Sequence, residues 1–243
     1  MHVNIAITPP SEPPLDQTCL VVDVLRATSV VAVLLNRGIR RIYPTATIEE
    51  GLALRDKFVG EGTEVILVGE RGGLPPAGFD AGNSPTAIET TTSKAQIAIQ
   101  ATTNGTPALL ACIGAPLVMP AAVLNATAVT TAALQANRDI LIVCAGLRGG
   151  FGEDDFLAAG LLTDSLVAAG ATPGTQARAA LNLYASAHTD LAAAFRRTEH
   201  GIATAKLGFD QDIVLCATRD RHAEVAILVE RDGIPVLELL PKT

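Results

Sequence analysis

Short runs of aliphatic residues, each followed by a polar segment that contains glycine, recur along this 243-residue chain. Apolar runs bounded by turn residues predict buried strands, and longer stretches with apolar residues every three or four positions predict helices. We predict strands at residues 3–7, 18–25, 39–43, 64–68, 96–101, 139–144, 225–230 and 234–240. We predict helices at residues 29–36, 47–59, 155–169, 175–187 and 191–197.

Strands that alternate with helices predict an α/β fold. We expect a three-layer α/β/α arrangement with a mixed, largely parallel sheet and a C-terminal β-hairpin at Asp232-Gly233, a strong hairpin signal. Residues 71–85 are rich in Pro and Gly and could mark a domain boundary. They carry too much polar chemistry for a linker, so we favour a long active-site loop within a single α/β domain of residues 1–243.

Composition excludes several classes of protein. The chain is 49% apolar but only 3% aromatic, which suits parallel strands packed between helices. A net charge of −7 argues against nucleic acid binding, and apolar runs too short to span a bilayer argue against a membrane protein. The four cysteines are widely spaced, which disfavours disulfides and zinc. The N-terminus lacks the pattern of a secretory signal, so we expect a cytoplasmic protein.

Five polar segments follow predicted strands or lie between them. They are DVLRAT at 23–28, GERGG at 69–73, GFDAGNSP at 78–85, TTNGT at 102–106 and CAGLRGG at 144–150. Ligands of open α/β sheets bind where strands end and helices begin, so we expect these segments to converge on one pocket. Carboxylates for a cation, together with arginines, hydroxyls and backbone N–H groups for an anion, suit a metal-dependent site for a phosphorylated small molecule.

Asp23 ends an apolar strand, where an unpaired carboxylate is unfavourable, so it is a candidate metal ligand. An ion pair with Arg26 or a helix cap is the structural alternative. Arg26 and Arg71 are predicted to hold a phosphate, and the glycines after Arg71 permit backbone N–H groups to surround an anion. A turn with a surface ion pair is the alternative there. We prefer attack by water, and a covalent intermediate on Asp23 stays open.

The remaining candidates fall into sets, each with a structural alternative such as a helix cap or a favourable contact with a helix dipole. The catalytic candidates are Asp23, Arg26, Arg71 and Asp155. The metal candidates are Asp23, Glu70, Asp80, Asp154 and Asp155. The substrate-binding candidates are Thr28, Gly72, Gly73, Asn83, Ser84, Thr103, Asn104, Gly105, Thr106 and Arg148. Secondary candidates are the segments 199–201, which contains His200, and 210–212, and Cys144 is expected to be a buried thiol.

Five motifs in this order, DVLRAT at 23–28, GERGG at 69–73, GNSP at 82–85, TNGT at 103–106 and CAG at 144–146, resemble the 2-phosphosulfolactate phosphatase family over about residues 20–220. The resemblance implies a magnesium-dependent hydrolase that cleaves 2-phospho-3-sulfolactate to 3-sulfolactate and phosphate in coenzyme M biosynthesis. It also implies an α/β fold distinct from the common phosphatase folds. Two alternatives stay open: a phosphatase of another phosphorylated hydroxy acid, and a non-catalytic protein that binds an anionic metabolite. The expected partner is a small phosphorylated anion, and a homo-oligomer is left open.

Overall fold

The computed structural model describes residues 1–240. The strands are β1 (His2–Ala6), β2 (Thr18–Val22), β3 (Arg41–Thr45), β4 (Val65–Gly69), β5 (Ala81–Gly82), β6 (Ile97–Ala101), β7 (Leu117–Ala121), β8 (Ile140–Cys144), β9 (Thr172–Pro173), β10 (Ala226–Arg231) and β11 (Ile234–Leu239). The helices are α1 (Ala27–Asn36), α2 (Ile48–Gly60), α3 (Pro85–Thr90), α4 (Gly105–Leu110), α5 (Ala126–Gln135), α6 (Glu153–Ala168), α7 (Thr175–Ala187), α8 (Leu191–Arg197), α9 (Glu199–Lys206) and α10 (Asp210–Cys216).

The strands form two sheets. The first has the order β7-β2-β8-β1-β9, and its paired strands are parallel. The second has the order β10-β11-β3-β6-β4-β5, in which β11 and β10 run antiparallel at one edge. The predicted α/β fold with mostly parallel strands and a C-terminal strand pair is confirmed, but the one expected sheet is divided into two.

The residues of each strand alternate between two cores. On β2, Leu20 and Val22 pack on one face with α5, α6 and α7, whereas Cys19 and Val21 face α1. On β4 of the second sheet, Ile66 joins that same central core and Leu67 faces the outer helix α2. The layers therefore run helices, sheet, helices, sheet, helix, so the expected three layers become five.

Helix α1 occupies the middle layer. Every residue of the helix except the last, Asn36, is buried. A helix that is apolar on all sides must lie within a core, because it has no face to offer water. Through α1, the two sheets share one hydrophobic interior.

Local signals account for several element ends. Thr47 caps α2 in the predicted capping box, since its side chain accepts from the backbone N–H of Glu50 and Glu50 reaches back. Asp232 and Gly233 both have positive φ, as a two-residue type I′ hairpin requires. Strand β7 was outside the pattern because Pro120 interrupts it, and it lies at a sheet edge, where proline is tolerated.

Among residues 1–240, no helix combines the length and the apolar character that crossing a membrane requires.

The four cysteines are buried and free, in line with the prediction that Cys144 is a buried thiol.

Candidate active site

The ends of four parallel strands, two from each sheet, surround one cavity of about 200 Å³. Helix α9 forms a further wall. The lining residues are Asp23, Leu25, Arg26, Glu70, Gly72, Gly73, Asn83, Thr103, Asn104, Leu147, Arg148, His200, Ala203, Thr204 and Leu207. Each of the five predicted polar segments contributes at least one of them, which confirms that the segments converge on one pocket.

Asp23 follows β2 at the base of the cavity and is 5% exposed. One carboxylate oxygen accepts a hydrogen bond from the backbone N–H of Ala27 at 3.2 Å. Burial raises the pKa of Asp23 to about 6, against the lowering effects of His200 and the Ala27 N–H, and the nearby carboxylates Asp154 and Glu70 raise it further. The other oxygen, Oδ2, lies against Gly105, where an added Cβ would approach it to 2.7 Å. Glycine at this position therefore lets α4 begin close to the carboxylate.

Arg26 is held rigidly by three contacts. Its guanidinium donates to Asp212 Oδ2 at 2.7 Å and to the carbonyl of Gly73 at 2.8 Å, and it lies 4.3 Å from the ring centroid of Phe209. Asp212 is fully buried and also accepts from Ser84 Oγ at 2.8 Å. Charge-assisted hydrogen bonds of this kind fix a guanidinium in place. The cavity thus receives a preorganised cation, and the ion pair of Arg26 is with Asp212 and not with Asp23, the partner considered as the structural alternative.

Glu70 joins two cavity loops. Its carboxylate accepts from the backbone N–H of Gly73 at 2.8 Å and from that of Thr103 at 2.6 Å. The loop after β4 is thereby tied to the loop after β6. The two N–H groups that glycine and threonine were expected to offer to an anion are instead used by this side chain.

His200 and Asp154 form a pair at the wall of the cavity. His200 Nδ1 lies 3.0 Å from Asp154 Oδ2, and Asp154 is 1% exposed. Burial lowers the pKa of His200, but the hydrogen bond and the charge of Asp154, together with the charge of Asp23, outweigh it and leave the pKa raised. Asp154 is directed at the histidine, and it is His200, not Asp154, that lines the cavity.

Asp155 has a different task from the one predicted. Its two oxygens accept from the backbone N–H groups of Val24 at 2.9 Å and Gly146 at 3.0 Å. Burial and the charges of Asp154 and Asp23 raise its pKa well above the ordinary value. The carboxylate connects the loop after β2 to the loop after β8, so it positions the cavity walls and does not line them.

Two Arg-Gly-Gly sequences form two-residue turns, but in different registers. In the first, Arg71 pairs with Leu74, so Gly72 and Gly73 occupy the central positions with positive φ. In the second, Leu147 pairs with Gly150, so Arg148 is itself a central residue, with φ 53°.

The register decides where each arginine lies. Arg71 donates to its neighbour's carbonyl, Glu70 O, at 2.7 Å and to Ala46 O at 3.1 Å, and it is absent from the cavity lining. Arg148 lines the cavity and pairs with Glu199 at 3.1 Å, with its side chain largely exposed. The structure therefore brings Arg148 to the site and places the predicted phosphate clamp Arg71 outside it.

The other predicted residues divide between the cavity and its support. Asn83, Thr103, Asn104, Gly72 and Gly73 line the cavity as expected. Thr28 bonds the backbone of Asp23, Ser84 caps α3, and Thr106 bonds Thr102, so these hydroxyls serve the loops. Gly105 adjoins Asp23 without lining the cavity. Asp80 is exposed and accepts from the N–H of Leu67 at 2.7 Å, away from the lining residues.

The five predicted metal candidates do not form one cluster. Within residues 1–240, no group of three or more His, Cys, Asp or Glu side chains is arranged to hold an ion. Two carboxylates, Asp23 and Glu70, do line the cavity. Mg²⁺ is commonly held by one or two carboxylates together with waters and substrate phosphate, so these two residues fit that ion.

The wall formed by α9 was largely outside the sequence prediction. His200 and the segment 210–212 were secondary candidates, whereas Ala203, Thr204 and Leu207 carried no signal of their own. A helical spacing of three to four residues from His200 places these three on one face. These lining residues can be predicted from the sequence only after α9 has been assigned as a helix.

Comparison with known proteins gives consistent matches. Residues 7–231 match the family model described as 2-phosphosulpholactate phosphatase. A protein of Deinococcus radiodurans named probable 2-phosphosulfolactate phosphatase is 37% identical over 238 residues, covering 97% of this chain and 96% of that protein. Proteins of the same name from Thermotoga petrophila and Thermus thermophilus are each 34% identical, covering 96% of this chain and 97% of theirs.

Proposed function

The chain belongs to the 2-phosphosulpholactate phosphatase family, and on that premise we propose that it hydrolyses 2-phospho-3-sulfolactate to 3-sulfolactate and phosphate with Mg²⁺. Family membership makes it a phosphoric monoester hydrolase. The substrate, the metal and a place in coenzyme M biosynthesis belong to the proposal. The observation that carries it is the single cavity in which Asp23, Arg26 and Arg148 meet.

The cavity residues suit a phosphorylated acid with further negative groups. Arg26 supplies a fixed positive charge, because Asp212 and Gly73 hold its guanidinium in one position. Arg148 supplies a second positive charge at the rim. The hydroxyl of Thr103 and the amides of Asn83 and Asn104 add uncharged donors. Two separate cations match a molecule that carries a phosphate at one end and a sulfonate at the other.

Asp23 and Glu70 would hold the magnesium ion. Burial and neighbouring carboxylates raise the pKa of Asp23, so its ionised form is unfavourable without a nearby cation. A bound divalent ion neutralises phosphoryl oxygens and makes a coordinated water more acidic. Asp155, by tying the loop that holds Val24 to the loop that holds Gly146, keeps these groups in register.

The direct test measures phosphate release from 2-phospho-3-sulfolactate in the presence of Mg²⁺ and again after chelation with EDTA. We expect release that stops with EDTA and returns with Mg²⁺. Parallel assays with 2-phospholactate, which lacks the sulfonate, test the substrate. A higher kcat/KM for the compound without sulfonate would contradict the assigned substrate, and no release with any divalent ion would contradict the proposed hydrolysis.

A further inference from the structure

His200 enters the cavity with one ring nitrogen already engaged. Nδ1 bonds the buried carboxylate of Asp154, which leaves Nε2 as the nitrogen that can meet a ligand. Thr198 caps α9 by accepting from the N–H of Gly201 at 3.0 Å, so the helix that carries the histidine begins at a fixed place. A carboxylate behind a histidine fixes its tautomer and orientation.

Hydrolysis of an alkyl phosphate requires a proton for the departing oxygen. The leaving group is an alkoxide, which is strongly basic and leaves poorly unless a general acid protonates it. The arginines Arg26 and Arg148 do not give up protons near neutral pH. Asp23 would hold the metal ion as an ionised carboxylate, so it is not free to donate a proton. Of the described lining residues, His200 is the one suited to donate a proton at that pH.

We propose that His200 is the general acid of the reaction and that Asp154 is its positioning residue. This inference rests on the proposed phosphatase function. The oxygen of water forms a bond to phosphorus while the ester P–O bond breaks, and the electron pair of that bond leaves on the oxygen of the hydroxy acid. The proton on His200 Nε2 transfers to that oxygen. One proton of the attacking water stays on the phosphate and the other returns to His200 through solvent.

The same contacts explain why Asp154 is buried without lining the cavity. Its carboxylate stabilises the protonated imidazole, as the direction of the His200 pKa indicates. Its place in the first turn of α6, beside Asp155, secures it between the loop after β8 and helix α9. Asp154 therefore acts on the reaction only by positioning His200.

The test compares two leaving groups in the wild type, H200Q and D154N. One substrate is 2-phospho-3-sulfolactate, and the other is p-nitrophenyl phosphate, whose nitrophenolate leaves without protonation. In H200Q we expect kcat to fall about a hundredfold or more for the alkyl ester and less than about fivefold for the nitrophenyl ester. D154N should show the same selectivity with a smaller loss. Equilibrium binding of inorganic phosphate should stay within about threefold of the wild type, which a disrupted fold would not allow.

H188Q is the matched control, because His188 is exposed at the end of α7, where its ring bonds Ala185 and packs against Tyr184, and it does not line the cavity. Its activity should equal that of the wild type. Equal losses of H200Q on both esters, an unchanged kcat on the alkyl ester, or lost phosphate binding would each overturn the inference. If the wild type hydrolyses neither ester, it is the proposed function that fails. If the wild type hydrolyses only the alkyl ester, an unchanged kcat or lost phosphate binding in H200Q still overturns the inference.

Discussion

The two Arg-Gly-Gly turns, one after β4 and one after β8, share three residues and a turn shape but differ in function. A shift of one residue in pairing places Arg71 at the flank of its turn and Arg148 at the centre of the other. Arg71 then supports the backbone of Ala46, and Arg148 reaches the cavity. The two turns show that a sequence motif indicates which functional groups are present. The pairing register of the turn decides which of their side chains faces the ligand.

The same contrast extends to the two sheets. The first sheet carries the charged groups of the cavity through the loops after β2 and β8, with Asp23, Arg26 and Arg148. The second sheet contributes Glu70 and mostly uncharged or backbone groups through the loops after β4 and β6. We therefore expect substitutions in the loops of the first sheet to change the pH dependence of stability and the kinetics. Substitutions in the loops of the second sheet should instead change the stability of those loops.

The largest expected effect is on the pH dependence of stability, measured in EDTA by denaturant unfolding. The pKa of Asp23 is raised from 3.8 to about 6 in the folded chain. Between these values the folded state keeps a proton that the unfolded state has lost, so stability from this group is full below about pH 4 and is lost as pH rises through 6. Asp23→Asn should be more stable than the wild type by about 3 kcal/mol at pH 8, with the difference vanishing near pH 4. A difference that is independent of pH would contradict the assignment.

The same variant should lose activity. Asp23→Asn removes a cavity charge, and we expect kcat to fall about a hundredfold, equal to about 2.7 kcal/mol of transition-state stabilisation. Asp80→Asn is the matched control, because its carboxylate lies outside the cavity and bonds the N–H of Leu67. Comparable activity losses in the two variants would remove the distinction between the sheets.

Glu70→Gln tests the second side. The amide offers one acceptor oxygen where the carboxylate offers two, so the N–H of Gly73 or of Thr103 loses its partner. We expect the free energy of unfolding to fall by about 1.5 kcal/mol, because the N–H of Gly73 is only part-buried and Thr103 is exposed, so water partly replaces the lost partner. Thermal or denaturant unfolding measures it, and Glu49→Gln, on the exposed face of α2, is the control. Unchanged stability would show that the carboxylate does not hold these loops together.

The smallest expected effect is a change in KM, and it distinguishes Arg148 from Arg71. Arg148→Ala should raise KM for phosphorylated substrates about fivefold, or about 1 kcal/mol, because an exposed charge contributes little through solvent. Arg71→Ala should leave KM within about twofold. Steady-state kinetics on both variants decide the matter. A larger effect from Arg71 than from Arg148 would mean that the first turn, not the second, meets the substrate.

Much of the scaffold could be predicted because its signals are local. The aliphatic runs that became β2, β4, β6 and β8, the Thr47 capping box and the Asp232-Gly233 hairpin depend on neighbouring residues alone. The convergence of five polar segments also follows from local pattern, since parallel strands that end together bring their loops together. The division into two sheets was hidden, because pairing between distant strands leaves no trace in the order of apolar runs.

The candidate site was predictable in its composition and less so in its roles. Asp155, Thr28 and Thr106 have the chemistry of ligands, yet their side chains are already hydrogen-bonded to nearby backbone groups. The Arg26–Asp212 contact joins residues 186 positions apart, a distance over which sequence spacing carries no information. Partners of this kind become visible only when the chain is folded.

Helix α1, sealed between both sheets, limits how the enzyme can respond to a substrate. If the two sheets moved apart at a hinge, Val30, Val31 and Leu34 would lose apolar contacts on both sides of the helix at once. Adaptation must come from the periphery, and α9 is a wall of the cavity that carries an exposed apolar residue, Ile202, away from the lining residues. Substrate binding and product release are therefore expected to involve small displacements of the short helix α9 against the rigid core of the two sheets.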